Sequence, residues 1–458
     1  MNNNNMISIR TQYIIHKFVL LALSALCIVM FYIEASGPTV VDTVSMKLVY
    51  ASGWIGIVSY IGIFLKRNFD AFLTSLYQIF YFMGVLIGST LASFGERMYE
   101  IKMFGTGNGV FWFLVLSLLI TSEAIQQGYK LFNPGTHRSF SILPPYWGNM
   151  VVKYTVLFII ICSLFVLLIY GSPVLLGISR TNYWGSAAPS FLSFLRILII
   201  LTFFWVSALS LNASGGITSS RIGKIYAALY VFLGLFLLGE KFSLFIMYMS
   251  SWLFVYAAKT NRTYPIKTVT GIISVIIIMA AQVTYRYEVA GLGVMFIFSR
   301  FTLQAQLPWS TFNEAAGILY FGLGSVGEYI NIFHLREIIS DRYLPLNVQA
   351  AHEISGTSLS GFLPSWQILT FGIPISIIFL IIFGIFLGYL QATIVHYVRL
   401  KNIITAFFVF SFHFFLLSVW YVGNFNVINI IILLSFLFII AYLSPRKLER
   451  GVPTNVHR

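Results

Sequence analysis

The stretch YTVLFIIICSLFVLLIYGSPVLL, residues 154–176, places no charged side chain in 23 consecutive positions. A helix rises about 1.5 Å per residue, so a run of this length crosses roughly 30 Å of hydrocarbon. Lys153 stands immediately before it and Arg180 shortly after. Comparable apolar runs recur near 18–34, 48–65, 71–93, 110–128, 190–211, 223–239, 242–258, 268–285, 368–390, 403–421 and 426–443. With the first, they predict twelve membrane spans.

Composition agrees with that reading. The chain is 58% hydrophobic and 9% charged, with 44 Phe and a mean hydropathy of +0.86. Its 14 acidic residues and few other polar groups do not cover the surface of a soluble domain of this size. The first apolar run follows Arg10 and Lys17 and ends in Phe31, Tyr32 and Glu34, with no small-residue cleavage site. It therefore reads as an uncleaved anchor.

Charge sets the expected orientation. With the N-terminus inside, alternate loops collect 18 of the 28 basic residues, opposed there only by Asp70, Glu123 and Glu449. The inner side carries +15 and the outer side −1, which together make the net +14 of the chain. This is the asymmetry of the positive-inside rule. The basic balance thus reflects membrane orientation, and no nucleic-acid partner is needed to explain it. Cys27 and Cys162 both fall inside predicted spans, without the spacing of a zinc site, and read as packing residues.

The 458 residues form one membrane domain with no soluble appendage. Most connections are short. The exception is 286–367, a large outer loop between the ninth and tenth spans. Within it Val326, Ile330, Phe333 and Ile338 recur at helical spacing, which predicts an amphipathic helix on the membrane surface. The preceding segment LQAQLPWSTFNEAAGILYFGLG is apolar enough to dip into the bilayer. The stretch NVQAAHEISGTSLSGF, 347–362, is small and polar in an otherwise apolar chain.

Charges at the mouth of a bilayer call for a partner or a role. The outer cations are Arg180, Arg196, Lys241, Arg286 and Arg300. Guanidinium groups present a planar fork to phosphate oxygens and stay charged at any working pH. Converging on one cavity, they suit a membrane-anchored diphosphate; standing apart, they are interfacial anchors reaching for headgroups. Arg180 and Arg286 are flanked by Tyr183 and Trp184, and by Tyr285 and Tyr287, in the manner of a sugar platform. Lys241 sits with Glu240 in a tight turn, either as a polar turn or as a point charge for phosphate. His352 and Glu353, with His334 and Glu328, are the proton acceptors of the outer loop. There is no P-loop, no HExxH and no Gly-rich dinucleotide turn. Of three Asp, none forms a D-x-D pair, so any glycosyl transfer here is expected to be metal-independent and to use a lipid-linked donor.

The stretches ISRTNYW, GEKFS, TYRYEVAG and HEISGTSLSGF, set at the ends of successive spans, resemble the Wzy-type repeat-unit polymerases of bacterial surface polysaccharides. Relatives often carry Gly-Gly-x-Arg in the turn after span seven, where this chain has Glu240–Lys241. The resemblance implies an all-α, GT-C-like glycosyltransferase of the inner membrane with cytoplasmic termini. It would pass a growing glycan from undecaprenyl diphosphate to a lipid-linked repeat unit at the periplasmic face. Arg180, Arg286, Lys241 and Arg300 would bind the diphosphate, and Tyr183 and Tyr287 would stack on sugars. His352 or Glu353 would activate the acceptor hydroxyl. No metal or cofactor is implied. The partners are undecaprenyl-diphosphate-linked oligosaccharides, membrane lipids and a chain-length regulator protein. Two alternatives remain: an O-antigen ligase, which shares layout and donor, and a lipid-linked oligosaccharide flippase, which would also have twelve spans but is expected to show related halves and short loops on both sides. A GT-C enzyme with its acid in the first outer loop would use Glu34 or Asp42 instead.

Overall fold

The computed structural model describes residues 3–36, 44–98, 100–101, 103–105, 107–132, 145–176, 178, 180–213, 220–238, 242–259, 274, 293–315, 340–355 and 362–422. In chain order the helices are α1 (Asn3–Ala35), α2 (Val44–Arg67), α3 (Phe69–Thr74), α4 (Leu76–Ser93), α5 (Val110–Leu131), α6 (Pro145–Tyr170), α7 (Arg180–Ser186) and α8 (Phe194–Ser210). There follow α9 (Ser220–Phe236), α10 (Phe242–Ala258), α11 (Gly293–Ala315), α12 (Leu346–Ser355), α13 (Phe362–Arg399) and α14 (Ile403–Val422). Between α4 and α5 a short antiparallel hairpin pairs β1 (Arg97–Met98) with β2 (Met103–Phe104).

Among the described residues seven stretches are long and apolar enough to cross a membrane: Ile14–Ala35, Val44–Arg67, Leu76–Ser93, Val110–Leu131, Trp147–Tyr170, Ser190–Ser210 and Gly372–Arg399. The chain is an all-α, multi-pass membrane protein. Two shorter apolar stretches, Ile246–Ala258 and Ile403–Leu417, add to these, and α9 coincides with the seventh expected span. The runs near 268–285 and 426–443 lie outside the described residues.

Two expected helices differ in extent. The run near 71–93 is interrupted, because Asn68 accepts from the Ala71 N–H to cap α3 and Ser75 separates it from α4. The hydroxyls of Thr74 and Ser75 each donate to Gln391 Oε1 at 3.2 Å, which ties the interruption to α13. The run 154–176 stops at Tyr170, where Gly171 takes a φ of +74° and Pro173 follows. A left-handed glycine and a nearby proline end a helix whatever its hydropathy.

Small residues set the closest packing. Gly388 of α13 lies against the Ile125 carbonyl of α5, and a methyl group at Gly384 would stand 2.6 Å from the Ala124 methyl. Spaced four apart, these glycines open one face of α13 to the α5 backbone. Gly88 of α4 meets the Phe301 carbonyl of α11 in the same way. The expected outer loop is therefore not all loop, since α11 lies along α4 and touches α13 as well. Arg300, Glu314 and Pro308 dilute its apolar pattern, so its membership of the bundle is a matter of fit to Gly88. The predicted amphipathic helix around Val326 to Ile338 lies outside the described residues.

Candidate functional site

The bundle has two chemically different ends. At one, Arg67 meets Glu123, and Arg399 donates to Asp70 at 2.8 Å and to the Ala257 carbonyl at 3.3 Å. Gly223 lies against the end of α8, and Gly148 near Ile404. Lys66 and Lys130 lie in the last turns of α2 and α5, and Lys259 and Lys401 directly follow α10 and α13, near Arg67 and Arg399.

The opposite end is organised by Glu34, which is fully buried. Its Oε2 accepts from the Tyr50 hydroxyl at 3.0 Å and from the Gly109 N–H at 2.9 Å. Its Oε1 accepts from Trp112 Nε1 at 2.9 Å. Gly109 supplies its N–H because it caps α5 with a φ of +82°, a conformation that suits glycine. Three donors, one of them at a helix N-terminus, make a carboxylate tolerable in an apolar interior. Tyr50 stacks on Phe111 with centroids 4.8 Å apart and meets Trp112 edge-on at 5.2 Å, which fixes the donors.

The same end holds the neighbouring elements in register. Asn108 accepts from the Val110 N–H and donates to the Trp309 carbonyl at 3.0 Å, fastening the start of α5 to α11. Gln306 of α11 donates to Glu100 beside the hairpin. Phe312 packs against Phe31 and Phe113 at 5.9 and 5.2 Å.

The sequence-assigned site residues are distributed as follows. Arg180 opens α7, and Arg300 lies in α11 next to Phe301, but their side chains are outside the described residues. His352 and Glu353 lie on α12, with their side chains likewise undescribed. Lys241, Arg286, Tyr287 and Asp42 fall outside the described residues altogether. Tyr183 is described in full. Its ring is completely buried, and its hydroxyl donates to the Gly171 carbonyl at 2.8 Å. Burial pushes that hydroxyl's pKa up, and Tyr170 adds to the effect. Tyr183 thus offers no exposed face to a sugar; it fastens α7 to the end of α6, with Trp184 edge-on at 5.1 Å and more accessible.

The start of α13 is the most informative. Leu346 at the start of α12 is 82% exposed, whereas Leu363 is 1% exposed. The Tyr81 hydroxyl donates to the Leu363 carbonyl at 3.1 Å and accepts from its N–H at 3.2 Å. Ser365 and Gln367 are buried beside it. Gly372, with a φ of +78°, then redirects the chain into the long apolar part of α13. Polar backbone is held inside the bundle here by a tyrosine of another helix. In membranes such irregular backbone occurs where protein or a water-filled cavity surrounds it.

Sequence reasoning assigned Glu34 no role except in the alternative scheme, counted Glu123 only in the charge balance and passed over His16. The available signal was an ionisable residue inside an apolar run, which demands a partner. Among the described residues no three His, Cys, Asp or Glu side chains gather as a metal site would require. No family model matches the chain, and no curated protein or solved structure matches it.

Proposed function

We propose that the chain is a membrane glycosyltransferase of the repeat-unit polymerase type, which elongates a glycan carried on undecaprenyl diphosphate. The observation that carries this reading is the buried polar start of α13, the next described element after the helix that bears His352 and Glu353. Helix α12, which carries His352 and Glu353 and begins at the exposed Leu346, is followed in the sequence by buried Leu363, Ser365 and Gln367. A transferase acting on a lipid-anchored sugar needs acceptor chemistry at that boundary, where the donor's lipid remains in the bilayer. Arg180, at the start of a short helix between two spans, would supply a cation for the diphosphate.

In this scheme Arg180, Arg286, Lys241 and Arg300 neutralise the diphosphate as the glycosidic bond breaks. His352 or Glu353 takes the proton of the attacking hydroxyl. Diphosphate leaves readily when cations surround it, so the scheme routes no step through a metal. The site faces the periplasm of a bacterial inner membrane, with the basic end of the bundle in the cytoplasm.

Deleting the gene and separating the surface glycan on a gel tests the reading. Loss of a polymerase leaves single repeat units on the lipid core. Long chains accumulating on undecaprenyl diphosphate would instead indicate a ligase, and units stranded inside would indicate a flippase.

A further inference from the structure

The basic end of the bundle holds a second constellation, on three helices that the proposed transfer does not use. Glu123 of α5 is its centre. Its Oε1 accepts from the Tyr60 hydroxyl of α2 at 2.9 Å and from Gln126 Nε2 at 3.4 Å, and lies 3.1 Å from His16 Nε2 of α1. Arg67 Nη1, at the end of α2, reaches the two Glu123 oxygens at 3.3 and 3.2 Å and also touches His16 Nε2. His16 is 1% exposed, whereas Arg67 and Glu123 are 18% and 19% exposed.

One imidazole nitrogen thus faces two groups of opposite demand. The Arg67 guanidinium only donates, and the Glu123 carboxylate only accepts. With its proton on Nδ1, His16 accepts from Arg67 at Nε2 but turns a lone pair towards Glu123 Oε1. With a proton on Nε2, it donates to Glu123 but sets an N–H against the Arg67 N–H. No protonation state satisfies both contacts, and Nδ1 is buried without a partner among the described residues. A contact with two incompatible solutions has two arrangements, and the proton on His16 chooses between them.

Charge points the same way. With His16 neutral, Arg67 is the cation on Glu123. Protonated His16 is a second cation in contact with the first, and like charges at contact repel. Of the two, Arg67 has the way out, being the last residue of α2 and partly exposed, whereas His16 is enclosed. The remaining charged groups near His16 are Lys17, next to it on α1, and Lys130, two turns past Glu123 on α5.

We propose that His16 and Arg67 form a proton-operated latch on Glu123. With His16 neutral, Arg67 holds Glu123 and ties the end of α2 to α5 and α1. When Nε2 takes a proton from water, the imidazolium takes over Oε1. The Arg67 guanidinium then swings out, still charged, to the aqueous surface. One cation replaces the other on the carboxylate, so the buried pair stays neutral while α2 loses its charged tie. Tyr60 keeps its bond to Glu123 in both arrangements, so acidification loosens the end of α2 without opening the bundle.

Full-length protein in a neutral detergent is treated with phenylglyoxal between about pH 5.5 and 8, the range in which imidazole titrates, and labelled arginines are located by peptide mass spectrometry. Labelling of Arg67 is divided by that of Arg399 in the same sample. Arg399 is 43% exposed and pairs with Asp70, so the ratio cancels the reagent's own pH dependence. The wild-type ratio should rise several-fold as the pH falls. His16→Gln should hold it low throughout. Glu123→Gln, which leaves Arg67 without its carboxylate, should hold it high throughout. A flat ratio in the wild type overturns the latch, and that reading depends on no variant. A rise that survives unchanged in either variant shows another group to be titrating and overturns it equally.

Discussion

The hydroxyl of Tyr81 on α4 satisfies both backbone groups of Leu363, donating to its carbonyl at 3.1 Å and accepting from its amide at 3.2 Å. One side chain thus holds the entry of α13 inside the bundle, two residues before the buried Ser365 and four before Gln367.

Tyr81→Phe keeps the ring and removes both bonds, leaving an amide and a carbonyl buried without that partner. A cost of about 1–3 kcal/mol is expected for each group left unmet. The variant should melt earlier than wild type in detergent. If the start of α13 frames the acceptor site, glycan elongation should fall further than protein abundance, as read by immunoblot and glycan gel on the same cells. Unchanged melting would show that Tyr81 does not hold this entry.

Glu34→Ala strands three donors at once, those of Tyr50, Gly109 and Trp112. Tyr50→Phe removes one bond and leaves the carboxylate two. The alanine variant is therefore expected to lose several times more stability than the phenylalanine variant, for which about 1 kcal/mol is expected. Thermal unfolding followed by tryptophan emission reads both, and the reverse order would sink the assignment of Glu34 as the hub.

At Gly388 any side chain runs into the Ile125 carbonyl, while Gly62 has open space around its missing Cβ. Gly388→Val should force α13 off α5 and cost upwards of about 1–3 kcal/mol, with loss of folded protein from the membrane. Gly62→Ala should be neutral or gain up to about 1 kcal/mol from helix propensity. Comparing membrane-inserted yield of the two variants isolates the glycine seam from a general glycine effect.

Arg180→Ala, and His352→Ala combined with Glu353→Gln, should each abolish long glycan chains while the protein inserts at wild-type level. Tyr183→Phe should behave differently, because its buried ring is kept and only the bond to the Gly171 carbonyl goes. Chain length should survive that change with a small loss of stability. Wild-type chains from Arg180→Ala would remove it from the diphosphate site.

Much of this architecture is written in hydropathy and charge. An uncharged run such as 154–176 has no stable home in water, and backbone polar groups in lipid must bond within a helix, so apolar runs become helices wherever they occur. The expected sorting of basic residues to one side has an equally local basis, since basic residues mark span termini. Other features depended on neighbours distant in sequence. Helix α11 is hidden by Arg300 and Pro308 in any window average, and it joins the bundle because Gly88 of α4 admits its backbone. The buried state of Glu34 depends on Tyr50, Gly109 and Trp112, which arrive from two other helices. Tyr183 reads as a sugar platform from its neighbours in sequence, but the turn at Gly171 folds over it and takes its hydroxyl. Partition into the bilayer is a property of each segment, and the sequence alone determined it. Which polar groups meet inside is a property of pairs of segments, and only the tertiary structure decided that.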